Sequence, residues 1–245
     1  MSRKLHKFQT EAEYQAYSAS TAYTTPCVAL IVDTNVIYYD YGNNKPQVDL
    51  SDYKLETEKA SVGGNNYGKS AITKINYIPS GITSLENAFD GWSSLVTAPE
   101  IPNSVTDMNM AFNGCSSLVT APEIPNSVIN LYSTFGNCTK LVNVKDIPNG
   151  VTKIAETFIN CSSLVTAPAI PNSITRMYYT FRNCSKLKTL TLLPTTPPSM
   201  QSALKGCSSI ESIYVPDASL DAYKTATGWS EFSSNIKPLS SKPTE

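Results

Sequence analysis

From residue 78 onward, apolar residues return every 23 positions in several columns at once, with polar residues filling the places between. Phe89, Phe112, Phe135, Phe158 and Phe181 form one such column, and Leu204 takes its sixth place. Three residues after each stands Trp92, Cys115, Cys138, Cys161, Cys184 or Cys207, and three further on Leu95, Leu118, Leu141, Leu164, Leu187 or Ile210. Ile78, Ile101, Ile124, Ile147, Ile170 and Leu193 make another column, each followed by proline. Val105, Val128, Val151 and Ile174, then Met108, Leu131, Ile154, Met177 and Met200, complete the set.

A repeat of roughly 20–29 residues with several apolar columns marks a leucine-rich-repeat solenoid, because one coil cannot bury its apolar side without a neighbour. The predicted fold is therefore a mainly β solenoid of six 23-residue coils spanning 78–216. Coils stacked at the strand spacing of about 4.8 Å make a rod only about 30 Å long. The Ile-Pro-Asn-Ser segments at 101–104, 124–127 and 170–173 read as corners, since proline presets φ and Asn and Ser hydrogen-bond their own backbone.

The unit FNGCSSLVTAPEIPNSVINL at 112–131 resembles the BspA-type leucine-rich repeat, FxxCxxLxxxPxIPxxVxxM, and the likeness covers roughly 78–216. Residues 213–239 resemble the closing cap of such proteins. Asp217 or Ser219 is placed to cap a short helix through Ala222 and Tyr223, with Gly228 ending it and Trp229, Phe232 and Ile236 covering the stack. The cap region is thus 217–245, its tail from Ser240 expected to be disordered.

The front of the chain has no repeat. Residues 7–19 predict a short helix with Phe8, Tyr14 and Tyr17 on one side, and CVALIVDTNVIYYDY from Cys27 predicts a β-hairpin around Asp33-Thr34-Asn35. Residues 1–47 therefore form a small helix-plus-hairpin module. The polar stretch that follows, 48–77, reads as linker and amino-terminal cap. The opening segment resembles, in the pattern P-x-V-x-x-V-x-D-T-x-x-V-x-Y, one found in virion proteins of tailed phages of gut bacteria, the crAss-like and Bacteroidetes phages.

Charge narrows the partners. The chain is 16% charged with a net charge of −1, and no Lys or Arg run offers a footprint for nucleic acid or an anionic membrane. MSRKLHKFQTEAEYQAYSAS lacks the apolar stretch of a secretory signal, and no segment reaches about 18 consecutive apolar residues, so neither secretion nor membrane insertion is expected. Synthesis in a cytosol makes reduced thiols the expectation for the cysteines.

Candidate chemistry is sparse. Gly63 to Ser70 spells GxxxxGKS, but a phosphate-binding loop needs a buried strand before it and a helix after it. LETEKASV is too polar for the first, and AITKINY meets Pro79 too soon for the second. The cysteine column sets its thiols in a line, not around a point, so packing is expected and metal is not. Asn137, Asn160 and Asn183 begin glycosylation sequons that read as by-products of the repeat. His6 is the single histidine, and Glu100, Glu123 and Asp146 fall one per coil, so no acid–base or nucleophilic constellation assembles. No enzymatic activity and no cofactor are expected.

Recognition is left to the positions that vary between coils, those just before the phenylalanines. Tyr132, Arg176, Tyr178, Tyr179 and Arg182 form an aromatic and basic strip there, the composition that binding hot spots favour. The resemblances imply a non-enzymatic virion protein on the phage surface, such as a head or tail fibre or a capsid decoration, made in the host cytoplasm. Residues 1–47 would dock on other virion proteins, as a homo-oligomer with a trimer favoured, and the repeats would touch host glycan or protein. The other reading is a bacterial cell-surface adhesin or interaction protein of the same repeat family.

Overall fold

The computed structural model describes residues 73–75, 78 and 82–243, and the backbone alone of 5–8, 27–31 and 36–40. At the front, β1 (Leu5–Phe8) runs parallel to β2 (Cys27–Ile31), which pairs antiparallel with β3 (Val36–Asp40). The hairpin register sets Cys27 opposite Asp40 and Ile31 opposite Val36, and Asp33-Thr34-Asn35, where the turn is expected, lie outside the described residues. The helix expected over 7–19 is corrected at its start. Leu5-His6-Lys7-Phe8, polar at its two central positions, lies in a strand because it pairs residue by residue with Val28 to Ile31 of β2, which takes up its backbone hydrogen-bonding groups. Residues 9–19 are outside the described residues.

The repeats wind as a solenoid. One ladder of parallel bridges joins Lys74 to Thr97, Thr97 to Thr120, Thr120 to Asn143 and Thr166 to Thr189, each step one repeat long. It broadens at the end of the stack into β4 (Thr189–Thr191), β5 (Ser212–Val215) and β6 (Ile236–Pro238), all parallel. A second ladder joins Ser84, Asp107, Asn130 and Lys153, and later Arg176 to Ser199. The mainly β expectation holds for the pairing and not for strand length, because most rungs are single bridges. Each coil is interrupted by a proline corner and by left-handed residues that no strand accommodates.

At the corners, Val105, Val128, Val151 and Ile174 donate their backbone N–H to the carbonyls of Pro102, Pro125, Pro148 and Pro171 at 3.0–3.1 Å. Proline thus opens each turn, with Asn and Ser or Gly at its tip. Ser104 and Ser127 then donate their hydroxyls to the carbonyls of Ile82 and Val105, tying each corner to the coil before it.

The predicted columns are the core. Every phenylalanine from Phe89 to Phe181 is buried, and their rings stack from coil to coil with centroids 5.0–5.8 Å apart and planes within 24°. Trp92 meets Phe89 edge-on at 5.5 Å, starting the stack with an indole where later coils place a thiol. One column slips. Leu193, assigned to the isoleucine column, is half-buried, while Leu192 is fully buried and bridges Ile170. In place of Glu100, Glu123 and Asp146 this coil has an apolar residue, so a shift of one position buries a leucine that would otherwise face water.

The cap closes the far end with α1 (Leu220–Thr225), entered through a short 3-10 turn. Neither Asp217 nor Ser219 makes a helix-capping side-chain bond. Ser219 instead donates to the Thr195 carbonyl at 2.7 Å, and Asp217 accepts from the Ser240 N–H at 3.0 Å. Trp229 and Tyr223 are buried edge-to-face at 5.4 Å, and each donates its one polar hydrogen at 2.8 Å, to the Pro198 and Pro194 carbonyls. The tail expected to be disordered is ordered as far as Pro243, with Leu239–Ser241 in a 3-10 turn held by that Asp217 contact.

Candidate functional site

After each rung of the second ladder the chain turns sharply, and the turn contains two left-handed residues four positions apart. The first column is Asn87, Met110, Ser133, Glu156, Tyr179 and Ser202, with φ between 49° and 59°. The second is Gly91, Gly114, Asn137, Asn160, Asn183 and Gly206. Left-handed backbone is free to glycine and tolerable to asparagine, but costs other residues roughly 1–2 kcal/mol. The second column obeys that rule at every coil. The first sets it aside for a methionine, a glutamate and a tyrosine, and never uses glycine.

A chain of side-chain hydrogen bonds runs beside and then along the second column. Asn113 donates to Asp90 at 3.0 Å, Asn137 to Asn113 at 2.9 Å, Asn160 to Asn137 at 2.7 Å and Asn183 to Asn160 at 2.8 Å. Gly206 ends it, since a Cβ there would lie 2.5 Å from Asn183 Oδ1. The three sequon asparagines are therefore rungs of a stacking ladder.

The aromatic and basic strip divides in two. In one part, the Arg182 guanidinium lies 5.5 Å from the centre of the Tyr179 ring, and Gln201 Nε2 donates to the Tyr179 hydroxyl at 3.2 Å. Tyr178 precedes Tyr179 on the same turn, half-buried, and Arg176 is exposed on the adjoining rung. Tyr132 stands apart, two coils or about 10 Å along the stack, with Ala155 in its column between. Its hydroxyl pairs with Glu156, and partial burial together with that carboxylate holds its pKa above the usual phenol value. Gln201 and Glu156 were missed in the sequence because neither is aromatic nor basic. The sequence signal for Glu156 is its place among the variable positions just before the phenylalanines.

The cysteines lie within the stack. All five described thiols are buried, and each donates to the carbonyl of the phenylalanine one coil back, Cys115 to Phe89 at 3.2 Å through Cys207 to Phe181 at 3.0 Å. Burial pushes Cys138, Cys161 and Cys184 well above the ordinary thiol pKa, and Cys207, at the end of the column, up to about 11. Such thiols are protonated at neutral pH and poor nucleophiles. Among the described residues no three His, Cys, Asp or Glu side chains converge as metal ligands. His6 and Cys27 fall where the backbone alone is described, and Gly63 to Ser70 lie outside the described residues.

An open cleft of about 680 Å³ lies at the corner formed by Ile147-Pro148-Asn149. The charged groups lining it are already engaged, Glu123 with Lys145 and Asp146 with the Ala169 N–H. Glu100, Glu123 and Asp146 are exposed one per coil. The turn face, not this cleft, gathers aromatic and basic side chains.

The family described as BspA type leucine-rich repeat region matches in six copies, over residues 60–178 and 108–226. No curated protein matches the chain. The matched span takes in the phenylalanine and cysteine columns, the proline corners and both ladders, and by that span the chain belongs to the BspA-type leucine-rich-repeat family, whose repeats serve protein interaction or adhesion.

Proposed function

We propose that this protein is a non-enzymatic virion structural protein of a tailed phage, a head or tail fibre or a capsid decoration, whose six 23-residue coils present the turn face to a host-surface glycan or protein. The observation that carries a recognition role is the first left-handed column. A backbone that favours glycine at each coil holds Met110, Glu156 and Tyr179 instead, half-buried on the turn face at positions where the residue type changes from coil to coil. The Tyr179–Arg182 pair, with Tyr178 and Arg176 beside it, is the densest part of that face. Residues 1–47 serve as the attachment and oligomerisation device, a trimer in this reading, supported by the resemblance of the opening segment to phage virion proteins. The family match supports a second reading, a bacterial cell-surface adhesin with the same recognition face.

Tyr179→Gly tests the recognition role. The variant should fold as well as the parent or gain up to about 1 kcal/mol, and should lose binding to host cells and to their isolated surface polysaccharide. Unchanged binding would remove Tyr179 from the contact surface. Immunogold labelling of particles and cells, with antibody against residues 82–243, separates the two readings. Label on virions supports the phage protein, and label on the cell envelope supports the adhesin.

A further inference from the structure

Two features of the coil stack run along its axis outside the core. Val96, Val119, Val142 and Val165 recur at the repeat spacing and are 45%, 39%, 42% and 37% exposed. They stand beside the first ladder, whose rungs Thr97, Thr120, Asn143 and Thr166 follow them directly in sequence. At about 4.8 Å per coil the stripe is about 15 Å long. Packing does not hide it. The segment SSLVTAPEIPNSV, in which it recurs, is nevertheless the most closely copied part of the repeat.

The second feature is electrical. Residues 82–139 contain five acids, Glu86, Asp90, Glu100, Asp107 and Glu123, and no lysine or arginine. Residues 140–212 contain eight lysines and arginines against the three acids Asp146, Glu156 and Glu211. Because coils stack in chain order, this division is a division along the rod, with an acidic first half and a basic second half. The sign changes within the stripe, between Val119 and Val142.

We infer that two copies of this chain pair side by side and antiparallel through the valine stripe, the acidic coils of one lying over the basic coils of the other, in a contact separate from the association assigned to residues 1–47. A two-fold axis makes any such contact self-complementary. With this charge order, antiparallel pairing sets opposite signs together at both ends, whereas parallel pairing sets like signs together at both ends. The apolar stripe supplies the burial and the charge order supplies the orientation. Glu100 on one copy comes opposite the half of the partner that bears Lys186, while Glu123 and Lys188 are also paired within their own chain, with Lys145 and Glu211.

The test uses the full chain and reads mass by light scattering and analytical ultracentrifugation. Val142→Glu should halve the mass of the assembly while the separated copies keep their folded repeats, since Val142 is not part of the core. Raising salt from 50 mM to 500 mM should weaken the pairing at least several-fold, because the oriented charges attract. E100K/E123K and K186E/K188E should each associate at least tenfold more weakly alone, and an equimolar mixture should recover the association, since each reversed pair of charges then meets its reversed counterpart. An unchanged mass for Val142→Glu overturns the inference. So does association that strengthens with salt, which would mean parallel pairing. A Val142→Glu variant that melts lower at unchanged mass would mean that the stripe is covered by this chain's own residues, which also overturns it.

Discussion

At the scale of single residues, the cysteine column shows how a chemically versatile side chain becomes a packing part. Each thiol fills a small buried space and gives its hydrogen to a carbonyl that the coil geometry leaves facing it, so removing the sulfur takes away both volume and donor. Cys161→Ala should therefore lower stability by about 1–3 kcal/mol, measured by denaturant unfolding, with no change in metal content. Stoichiometric zinc in the parent that the variant loses would contradict this. The same burial makes stability depend on alkaline pH in a definite direction. The folded-state pKa values of Cys138, Cys161 and Cys184 lie above the ordinary thiol value of 9.0. Their contribution is fully present below that value and is lost as pH rises from it toward the raised ones. Each thiol ionised in the unfolded chain but not in the fold costs about 1.4 kcal/mol per pH unit. Denaturant midpoints should be level from pH 7 to 8.5 and fall steeply above 9. A midpoint that holds steady to pH 10.5 would show that the thiols are not buried together.

At the scale of elements, the carboxyl-terminal cap is the part whose loss the coils cannot replace. Trp229 covers the last apolar layer and satisfies the Pro198 carbonyl, so Trp229→Ala should cost about 3–5 kcal/mol and expose the final coil to proteolysis before the rest. Uniform protection of all coils in the variant would show that the cap adds no local stability. The core columns and proline corners were legible in the sequence because stacking forces one residue type on each position of every coil. Details that depend on one coil alone were not. The slip at Leu192 follows from a bulky apolar residue in a column that is acidic at Glu100, Glu123 and Asp146 and turns apolar at Ala169, and the ordered tail follows from local bonds such as that from the Ser240 N–H to Asp217. The left-handed column was hidden for a different reason. Its residues are Asn, Met, Ser, Glu, Tyr and Ser, and a backbone requirement that is overridden at most coils leaves no compositional trace. As a result, the strip chosen by residue type joined Tyr132 to Tyr178, Tyr179 and Arg182, which the coil spacing keeps apart.

At the scale of the whole molecule, stability resides in contacts between neighbouring coils, and residues 48–245 contain the repeat columns and the cap. Deleting residues 1–47 should leave a solenoid that unfolds cooperatively at the parent's temperature while its docking to particles is lost. Loss of the folded repeats, or undiminished docking, would show that the front segment is not a separate attachment module. The near-identity of successive coils has a further consequence for heredity. A duplication or deletion of 23 codons within the array changes the number of coils without creating a new kind of contact, because each coil already rests on a neighbour of its own design. The length of the stack is thus a trait that recombination between the gene's own repeats can adjust in steps of about 4.8 Å, leaving both ends of the protein untouched.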